Sequence, residues 1–140
     1  MNVKAGKPSV LFVCVKNGGK SQMAAGLMGK VAGGSVTIAS AGSKPGSAVN
    51  ALSAEVLAEV GVDITQNVPR RITDADQRTA DLVVILGPEA QLEEVEGTRY
   101  ERWDTDEPSN RGIEGIERMR LVRDDILARV TALHAALLAP

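Results

Sequence analysis

Residues 10–28, VLFVCVKNGGKSQMAAGLM, limit the possible folds more than any other part of this 140-residue chain. The stretch overlaps a short, continuous, β-branched run at residues 8–15, which is typical of a strand buried on both faces of a sheet. Cys14, the only cysteine of the chain, lies near the end of that run, and glycines follow it. Residues 21–31 then carry apolar side chains at helical spacing. The stretch predicts a strand, a loop and a helix in direct succession, with Cys14 at the carboxyl end of the strand.

The rest of the chain continues this alternation of strand-like and helix-like segments. Three further strands are predicted at residues 36–42, 81–87 and 100–103. Long helices are predicted at residues 48–60 and 113–138, and short helical pieces near Asp74 and around Gln91. Strands that alternate with helices form a parallel sheet covered on both faces. We predict an α/β fold with a four-stranded parallel sheet flanked by helices. The chain is too short for two ordinary domains, so residues 1–140 are expected to form one.

Composition and charge narrow the possible functions. The formal net charge of −2 gives no general reason to expect nucleic acid or an acidic membrane surface as partner, and aromatic residues, at 2%, are too few for base-stacking platforms. No segment approaches the roughly 20 apolar residues of a membrane span, and no signal peptide is recognised. A single cysteine excludes an internal disulfide and suits a reducing compartment, so a cytoplasmic location is expected. His134, the only histidine, is remote in sequence from Cys14, so no metal site is expected.

The loop after Cys14 has the features of two kinds of binding loop. Its last three residues, Gly19, Lys20 and Ser21, are those that end a nucleotide-binding P-loop, but the first glycine of that motif would fall on position 14. The alternative is a cysteine loop that wraps a tetrahedral oxyanion with backbone N–H groups and the positive end of the following helix. We favour this interpretation. The predicted oxyanion-binding residues are Val15, Lys16, Asn17, Gly18, Gly19, Lys20 and Ser21.

Three side chains are given catalytic roles in this interpretation. Cys14, in the positive field of the loop, is expected to be a thiolate near neutral pH. The Ser21 hydroxyl can donate a hydrogen bond to the sulfur, and Lys20 adds a charge for the oxyanion. The alternative for Cys14 is a small buried hydrophobic residue at a strand end, with no catalytic role.

Five segments of the chain make it resemble a known superfamily: LFVCVKNGGKSQMA, SAGSKPG, EVGVDI, DLVVILG and DEP. They are similar to the low-molecular-weight phosphatase superfamily, and within it to the arsenate reductases, specifically the arsenate–mycothiol transferases of mycothiol-producing bacteria. The resemblance implies a phosphatase-like fold, arsenate as the oxyanion and mycothiol as cosubstrate, with no tightly bound cofactor. It also implies that a mycoredoxin reduces the arseno-mycothiol product to arsenite, in arsenic detoxification. Whether Cys14 or mycothiol attacks arsenic first stays open.

Three departures from the superfamily pattern refine this expectation. Lys20 replaces an arginine, so a point charge stands where a planar fork would favour phosphoryl transfer. The region that carries two further cysteines in thioredoxin-coupled reductases reads GPEAQLEEV, with Pro88 near the place of the first, so an external thiol must take the arsenic. Lys16 replaces a small residue, and is either a solvated loop lysine or a source of positive charge at the mouth of the site.

The acidic segment WDTDEP, residues 103–108, resembles the loop that delivers the superfamily's general acid. A protonated carboxyl beside an oxyanion can help an arsenate oxygen to leave as water. Asp106 matches the acid position of the reductases and Glu107 that of the phosphatases, so Asp106 is the favoured acid and Glu107 its competitor. A solvated acidic turn is the third interpretation. The rival functions are a low-molecular-weight protein tyrosine phosphatase and a non-catalytic oxyanion-binding or redox-sensing module that uses Cys14 as a switch.

Overall fold

The sheet predicted from the sequence is present in the computed structural model, which describes residues 6–139. The strands within that range are β1 (Ser9–Cys14), β2 (Thr37–Gly42), β3 (Leu82–Leu86) and β4 (Arg99–Trp103), which pair in parallel in the order β2-β1-β3-β4. The helices are α1 (Lys20–Ala32), α2 (Ala51–Ala58), α3 (Asp74–Thr79) and α4 (Gly115–Leu138), and Pro108–Arg111 form a single 3₁₀ turn. The predicted α/β fold with a four-stranded parallel sheet is confirmed. Residues 1–5 and 140 of the predicted domain lie outside the described residues.

Strand β1 lies inside the sheet because its side chains are apolar on both faces. Phe12 belongs to the large apolar cluster on one face, whereas Leu11 and Val13 belong to a smaller cluster on the other, and all three are at most 1% exposed. Because β1 is in register with β2, Cys14 pairs with Gly42 at the carboxyl ends of the two strands. Parallel α/β sheets bind ligands just beyond this edge. The fold therefore places the lone cysteine where a ligand is expected.

Helices α1, α2 and α4 contribute to the larger cluster, and the helical spacing of their apolar residues explains how. The larger side chains that α1 and α4 bury in it are Met23, Leu27, Met28, Val122, Ile126 and Val130. The face of α4 that carries Arg118 continues from this buried stripe toward the carboxyl edge of the sheet, where both Arg118 and Val122 line one cavity. Within residues 6–139, no helix is both long enough and apolar enough to cross a membrane.

The helix predicted at residues 48–60 is shorter in the structure. It begins at Ala51, because the Asn50 side-chain oxygen accepts a hydrogen bond from the backbone N–H of Ser53 at 2.9 Å and caps the helix. The Asn50 backbone N–H is itself bonded to the Gly18 carbonyl oxygen at 2.7 Å. The chain just before α2 is therefore held against the loop that follows β1, and does not join the helix.

The prediction of a short helix around Gln91 is wrong, since residues 87–98 are turns and irregular backbone. Arg102 on β4 explains the difference. Its guanidinium donates hydrogen bonds to the carbonyl oxygens of Gly87 at 2.6 Å and Ala90 at 3.0 Å. These carbonyls are held by a distant side chain instead of by the next turn of a helix. The short helix α3, by contrast, forms where a helical turn is predicted.

Candidate oxyanion-binding site

The loop of residues 15–19 connects the end of β1 to the start of α1. Its backbone carbonyl oxygens accept hydrogen bonds from the irregular segment of residues 43–50, which follows β2. The backbone N–H groups of Lys44, Gly46 and Asn50 donate to the carbonyl oxygens of Val15, Lys16 and Gly18, at 2.8, 2.9 and 2.7 Å. A loop whose carbonyl oxygens are held on one side is suited to present its N–H groups on the other, where they can bind an anion.

The sulfur of Cys14 lies in a polar setting although the residue is only 9% exposed. The Asn17 backbone N–H donates to the sulfur at 3.2 Å, and Ser21 Oγ lies 3.0 Å from it. Since Asn17 Nδ2 donates to Ser21 Oγ at 2.8 Å, the Ser21 hydroxyl hydrogen is available for the sulfur. Two donors therefore converge on the sulfur atom, which a purely hydrophobic role for Cys14 does not require.

Asn17 has a left-handed backbone conformation, with φ of +53°, and is fully buried. Its side-chain oxygen accepts hydrogen bonds from the Arg70 backbone N–H at 3.1 Å and from Gln22 Nε2 at 3.3 Å, and its backbone oxygen accepts from the same Gln22 nitrogen at 3.1 Å. These contacts stabilise a conformation that is unfavourable for a residue with a side chain. Sequence reasoning missed Gln22, whose only signal is a polar residue in the first turn of α1.

Gly42, at the end of β2, lies so close to the loop that a side chain would not fit. A Cβ atom there would be 2.6 Å from the Val15 carbonyl oxygen and 3.1 Å from the Asn17 backbone nitrogen. We expect Gly42→Ala to lower the free energy of unfolding by roughly 1–3 kcal/mol and to reduce turnover, because the loop must shift to accommodate the methyl group.

Gly29→Ala, within α1, is the matched control for this prediction. Among the described residues, no atom outside the helix backbone lies within 4 Å of a Cβ at that position. Alanine has the better helix propensity, so this variant should raise the free energy of unfolding by about 1 kcal/mol. Urea unfolding of both variants and the wild type measures these changes. A Gly42→Ala protein as stable as the wild type would contradict the close approach of β2 to the loop.

Lys20, the first residue of α1, and Arg118, on α4, both contact the carboxylate of Glu107. The Lys20 ammonium donates to one carboxylate oxygen, and Arg118 Nη2 lies 3.1 Å from the other. Burial alone would raise the pKa of Glu107, but the hydrogen bonds from Lys20 and Arg118 outweigh it and hold that pKa below its ordinary value. Glu107 is therefore an ionised bridge between the start of α1 and α4 at neutral pH. Sequence reasoning missed Arg118, because no local pattern on α4 connects it to the loop.

Asp106, the acid favoured from the sequence, is placed differently from Glu107. Its carboxylate accepts two hydrogen bonds from the Arg111 guanidinium, at 2.8 and 3.2 Å, and these hold the pKa of Asp106 below its ordinary value. The structure brings the Glu107 carboxylate to the loop and holds the Asp106 carboxylate on Arg111. An acid role for Asp106 stays a prediction, and it requires this carboxylate to leave Arg111.

A cavity of about 550 Å³ opens beside the loop. The loop and the start of α1 form one wall, with Lys16 and Lys20, and α4 forms another, with Arg118. The small residues Gly46 and Ala48 line it as well, so no bulky aromatic side chain narrows this part of the described structure. Three cations around one cavity attract an anion. These cations can therefore draw an oxyanion to the carboxyl edge of the sheet, where β1 ends at Cys14 and the sulfur accepts a hydrogen bond from Asn17.

Comparison with known proteins shows the family of the chain. The family model described as low molecular weight phosphotyrosine protein phosphatase matches residues 9–139. The glutaredoxin arsenate reductase of Synechocystis sp. is 30% identical over 129 residues, which cover 90% of this chain and 95% of that protein.

Solved structures of arsenate reductases have the same fold. The thioredoxin-dependent arsenate reductase of Corynebacterium glutamicum superposes with a TM-score of 0.80 at 33% identity, over 96% of this chain, and this chain spans 64% of that protein's length. An arsenate reductase in the phosphate binding state superposes with a TM-score of 0.81 at 28% identity, over 93% of this chain and 98% of that one. The chain therefore belongs to the low molecular weight phosphotyrosine protein phosphatase family, and within that family it is similar to arsenate reductases.

Proposed function

We propose that this protein is an arsenate–mycothiol transferase that acts in arsenic detoxification. The observation that carries the proposal is a hydrogen-bonded cysteine at an oxyanion loop, in a chain whose 140 residues contain no second cysteine. The similarity to arsenate reductases supports arsenate as the oxyanion. The lone cysteine supports an external thiol as the acceptor of arsenic, because forming an internal disulfide requires two thiols.

In the proposed reaction, arsenate binds to residues 15–21 and the Cys14 thiolate attacks arsenic. A sulfur–arsenic bond forms while a protonated arsenate oxygen leaves as water. The mycothiol sulfur then attacks the same arsenic, and Cys14 leaves as a thiolate, so arseno-mycothiol is released with arsenic still in its +5 state. The Asn17 N–H and the Ser21 hydroxyl support this order, because they hold the nucleophilic sulfur in place. The alternative order is direct attack by mycothiol while Cys14 polarises the bound oxyanion.

The proton for the departing oxygen is proposed to come from a carboxyl of the 103–108 segment. Asp106 is the donor that the family resemblance implies, and Glu107 is the alternative that its contact with Lys20 supports. Both carboxyls have lowered pKa values when paired with their cations. An anion bound nearby raises the pKa of a carboxyl, so substrate binding would itself favour protonation of the donor carboxyl.

Mycothiol and a mycoredoxin complete the proposal. A mycoredoxin with a second mycothiol reduces the arseno-mycothiol product to arsenite, and the thiols supply both electrons. No tightly bound cofactor is required for this chemistry. Because free thiols persist in reducing compartments, we place the reaction in the cytoplasm.

A protein tyrosine phosphatase is the second candidate, because the matching family model carries that name. Lys20 argues against it. A lysine ammonium is a point charge, whereas an arginine guanidinium can hold two equatorial oxygens of a transferring phosphoryl group at once. A non-catalytic module that binds an oxyanion or senses oxidants through Cys14 is the third candidate.

Arsenate turnover with mycothiol, compared with hydrolysis of p-nitrophenyl phosphate, distinguishes the three candidates. We expect the wild type to turn over arsenate and to hydrolyse the aryl phosphate slowly. Lys20→Arg should raise aryl phosphate hydrolysis by on the order of tenfold, because it adds a fork for the phosphoryl oxygens. Lys30→Arg, the same substitution near the end of α1 and outside the cavity, should change neither rate.

Two results would overturn the transferase proposal. One is efficient hydrolysis of aryl phosphates by the wild type at a rate that Lys20→Arg leaves unaltered, which would identify a phosphatase. The other is tight arsenate binding without turnover of either substrate under any thiol supply, which would identify a binding or sensing module.

A further inference from the structure

The Glu107 carboxylate spans two cations that come from different elements of the fold. Lys20 reaches one of its oxygens from the start of α1, and Arg118 reaches the other from α4 at 3.1 Å. All three side chains are partly accessible, with exposed fractions of 22% for Lys20, 32% for Glu107 and 34% for Arg118. Ion pairs that accessible contribute little to stability. The arrangement therefore calls for an explanation other than holding the fold together.

Arg118 also has hydrogen-bonding capacity that its contact with Glu107 leaves unused. Among the described residues, its Nε is one of two buried side-chain nitrogen or oxygen atoms with no hydrogen-bond partner. A guanidinium presents its N–H donors in a planar fork that suits the paired oxygens of carboxylates and oxyanions. Arg118 lines the same cavity as Gly19 of the loop and Lys20 of α1. Arg118 thus lines the cavity beside the loop while part of its hydrogen-bonding capacity is unused.

We propose that Lys20 and Arg118 bind the substrate oxyanion together, and that the Glu107 carboxylate takes the place of two oxyanion oxygens when no anion is bound. Carboxylate and arsenate each present pairs of negatively charged oxygens to cationic donors. Two cations that together bind a carboxylate can therefore also bind arsenate. Arg118 then supplies from α4 the planar fork that Lys20 lacks. The proposal rests on the proposed function only in naming arsenate, since inorganic phosphate has the same shape and charge.

This arrangement predicts effects of opposite sign for the two partners of one ion pair. Removing the Arg118 charge takes away a ligand of the anion, so anion affinity should fall. Removing the Glu107 charge takes away the competitor, so anion affinity should rise. A pair with only a structural role predicts no such contrast, because breaking the pair from either side would disturb the loop and weaken anion binding in the same way.

The experiment measures binding of inorganic phosphate and of arsenate to the full chain by titration calorimetry. We expect Arg118→Gln to weaken both by roughly tenfold or more, the usual size of a lost hydrogen bond to a charged group. Arg118→Lys, which keeps the charge but not the fork, should lose less. Glu107→Gln should tighten both by about threefold, since a neutral amide competes poorly for two cations.

A matched control and a site-specific readout accompany these titrations. Arg120 lies on the same helix as Arg118 but outside the cavity, so Arg120→Gln, which breaks ion pairs with Glu59 and Glu117, should leave anion binding unchanged. Protection of Cys14 from iodoacetamide by phosphate should follow the calorimetric affinities, which locates the anion at the loop. Neither readout needs turnover, so the result stands apart from whether mycothiol is the cosubstrate.

Two outcomes would overturn the inference. Unchanged phosphate affinity in a folded Arg118→Gln protein would mean that Arg118 is not a ligand of the anion. Similar losses of affinity in Arg118→Gln and Glu107→Gln would mean that the ion pair acts only by supporting the loop. Circular dichroism checks that each variant is folded. If Arg118→Gln does not fold, the same titrations of Arg118→Lys provide the test.

Discussion

Cys14→Ser is expected to lower arsenate turnover with mycothiol by roughly a thousandfold or more, the usual scale for loss of an attacking nucleophile. The serine hydroxyl has nearly the size of the thiol and can keep the contacts with Ser21 Oγ and the Asn17 N–H. It is nonetheless un-ionised at neutral pH, and no general base contacts position 14 among the described residues. The variant should therefore bind the oxyanion but fail to form the sulfur–arsenic bond. Turnover is measured with mycothiol and arsenate, and phosphate binding by calorimetry shows that the site is intact.

The size of the loss decides between the two orders of attack. If mycothiol attacks arsenic directly, Cys14 only polarises the oxyanion, and the serine variant should keep activity within about tenfold of the wild type. Ser21→Ala is the companion variant, because it removes one donor to the sulfur and leaves the nucleophile in place. Its turnover should fall by roughly tenfold, which is the scale of one hydrogen bond to a charged group.

The fold could be predicted because its signals are local. The strand at β1 is a continuous apolar run, and the buried stripe of α4 repeats at helical spacing, so each element is recognisable from its own residues. The errors lie where distant residues set the backbone. The start of α2 depends on the hydrogen bond between Asn50 and Gly18, and the backbone around Gln91 depends on Arg102. The spacing of apolar residues in either segment does not indicate these hydrogen bonds to distant residues.

The candidate site divides in the same way. The residues that surround the Cys14 sulfur are close to it in sequence, so one loop motif names them together. The supporting residues come from elsewhere, since Gln22 holds Asn17 from within α1 and Arg118 arrives from α4. The sequence identifies Asp106 and Glu107 as neighbouring acids, but it does not show which cation each carboxylate contacts. The placement of Arg111 and Lys20 determines which carboxylate faces the loop.

Thioredoxin with its reductase, as the only thiol source, is expected to support no sustained turnover of arsenate, whereas mycothiol with a mycoredoxin should. Once a sulfur–arsenic bond has formed, arsenic leaves Cys14 only if a second thiol attacks. The chain has no other cysteine, and Pro88 stands near the place where the resemblance to thioredoxin-coupled reductases would put one. The structure gives that region irregular backbone at residues 87–98. The cavity of about 550 Å³ beside the loop is large enough to admit a small thiol.

A thioredoxin-dependent relative makes this prediction a stringent test of the proposed thiol donor. The Corynebacterium glutamicum reductase is described as thioredoxin-dependent and is 33% identical to this chain, so a shared fold does not decide the thiol donor. Both donor systems are tested at equal enzyme concentration by following arsenite release, with the Cys14→Ser variant as background. Release of more than one arsenite per enzyme with thioredoxin alone would contradict the transferase proposal. If arsenite release needs mycothiol, and only arseno-mycothiol forms when mycoredoxin is omitted, this protein carries out the first thiol transfer and its partner the reduction. This division is expected because a single cysteine can exchange arsenic between thiols but cannot supply two electrons.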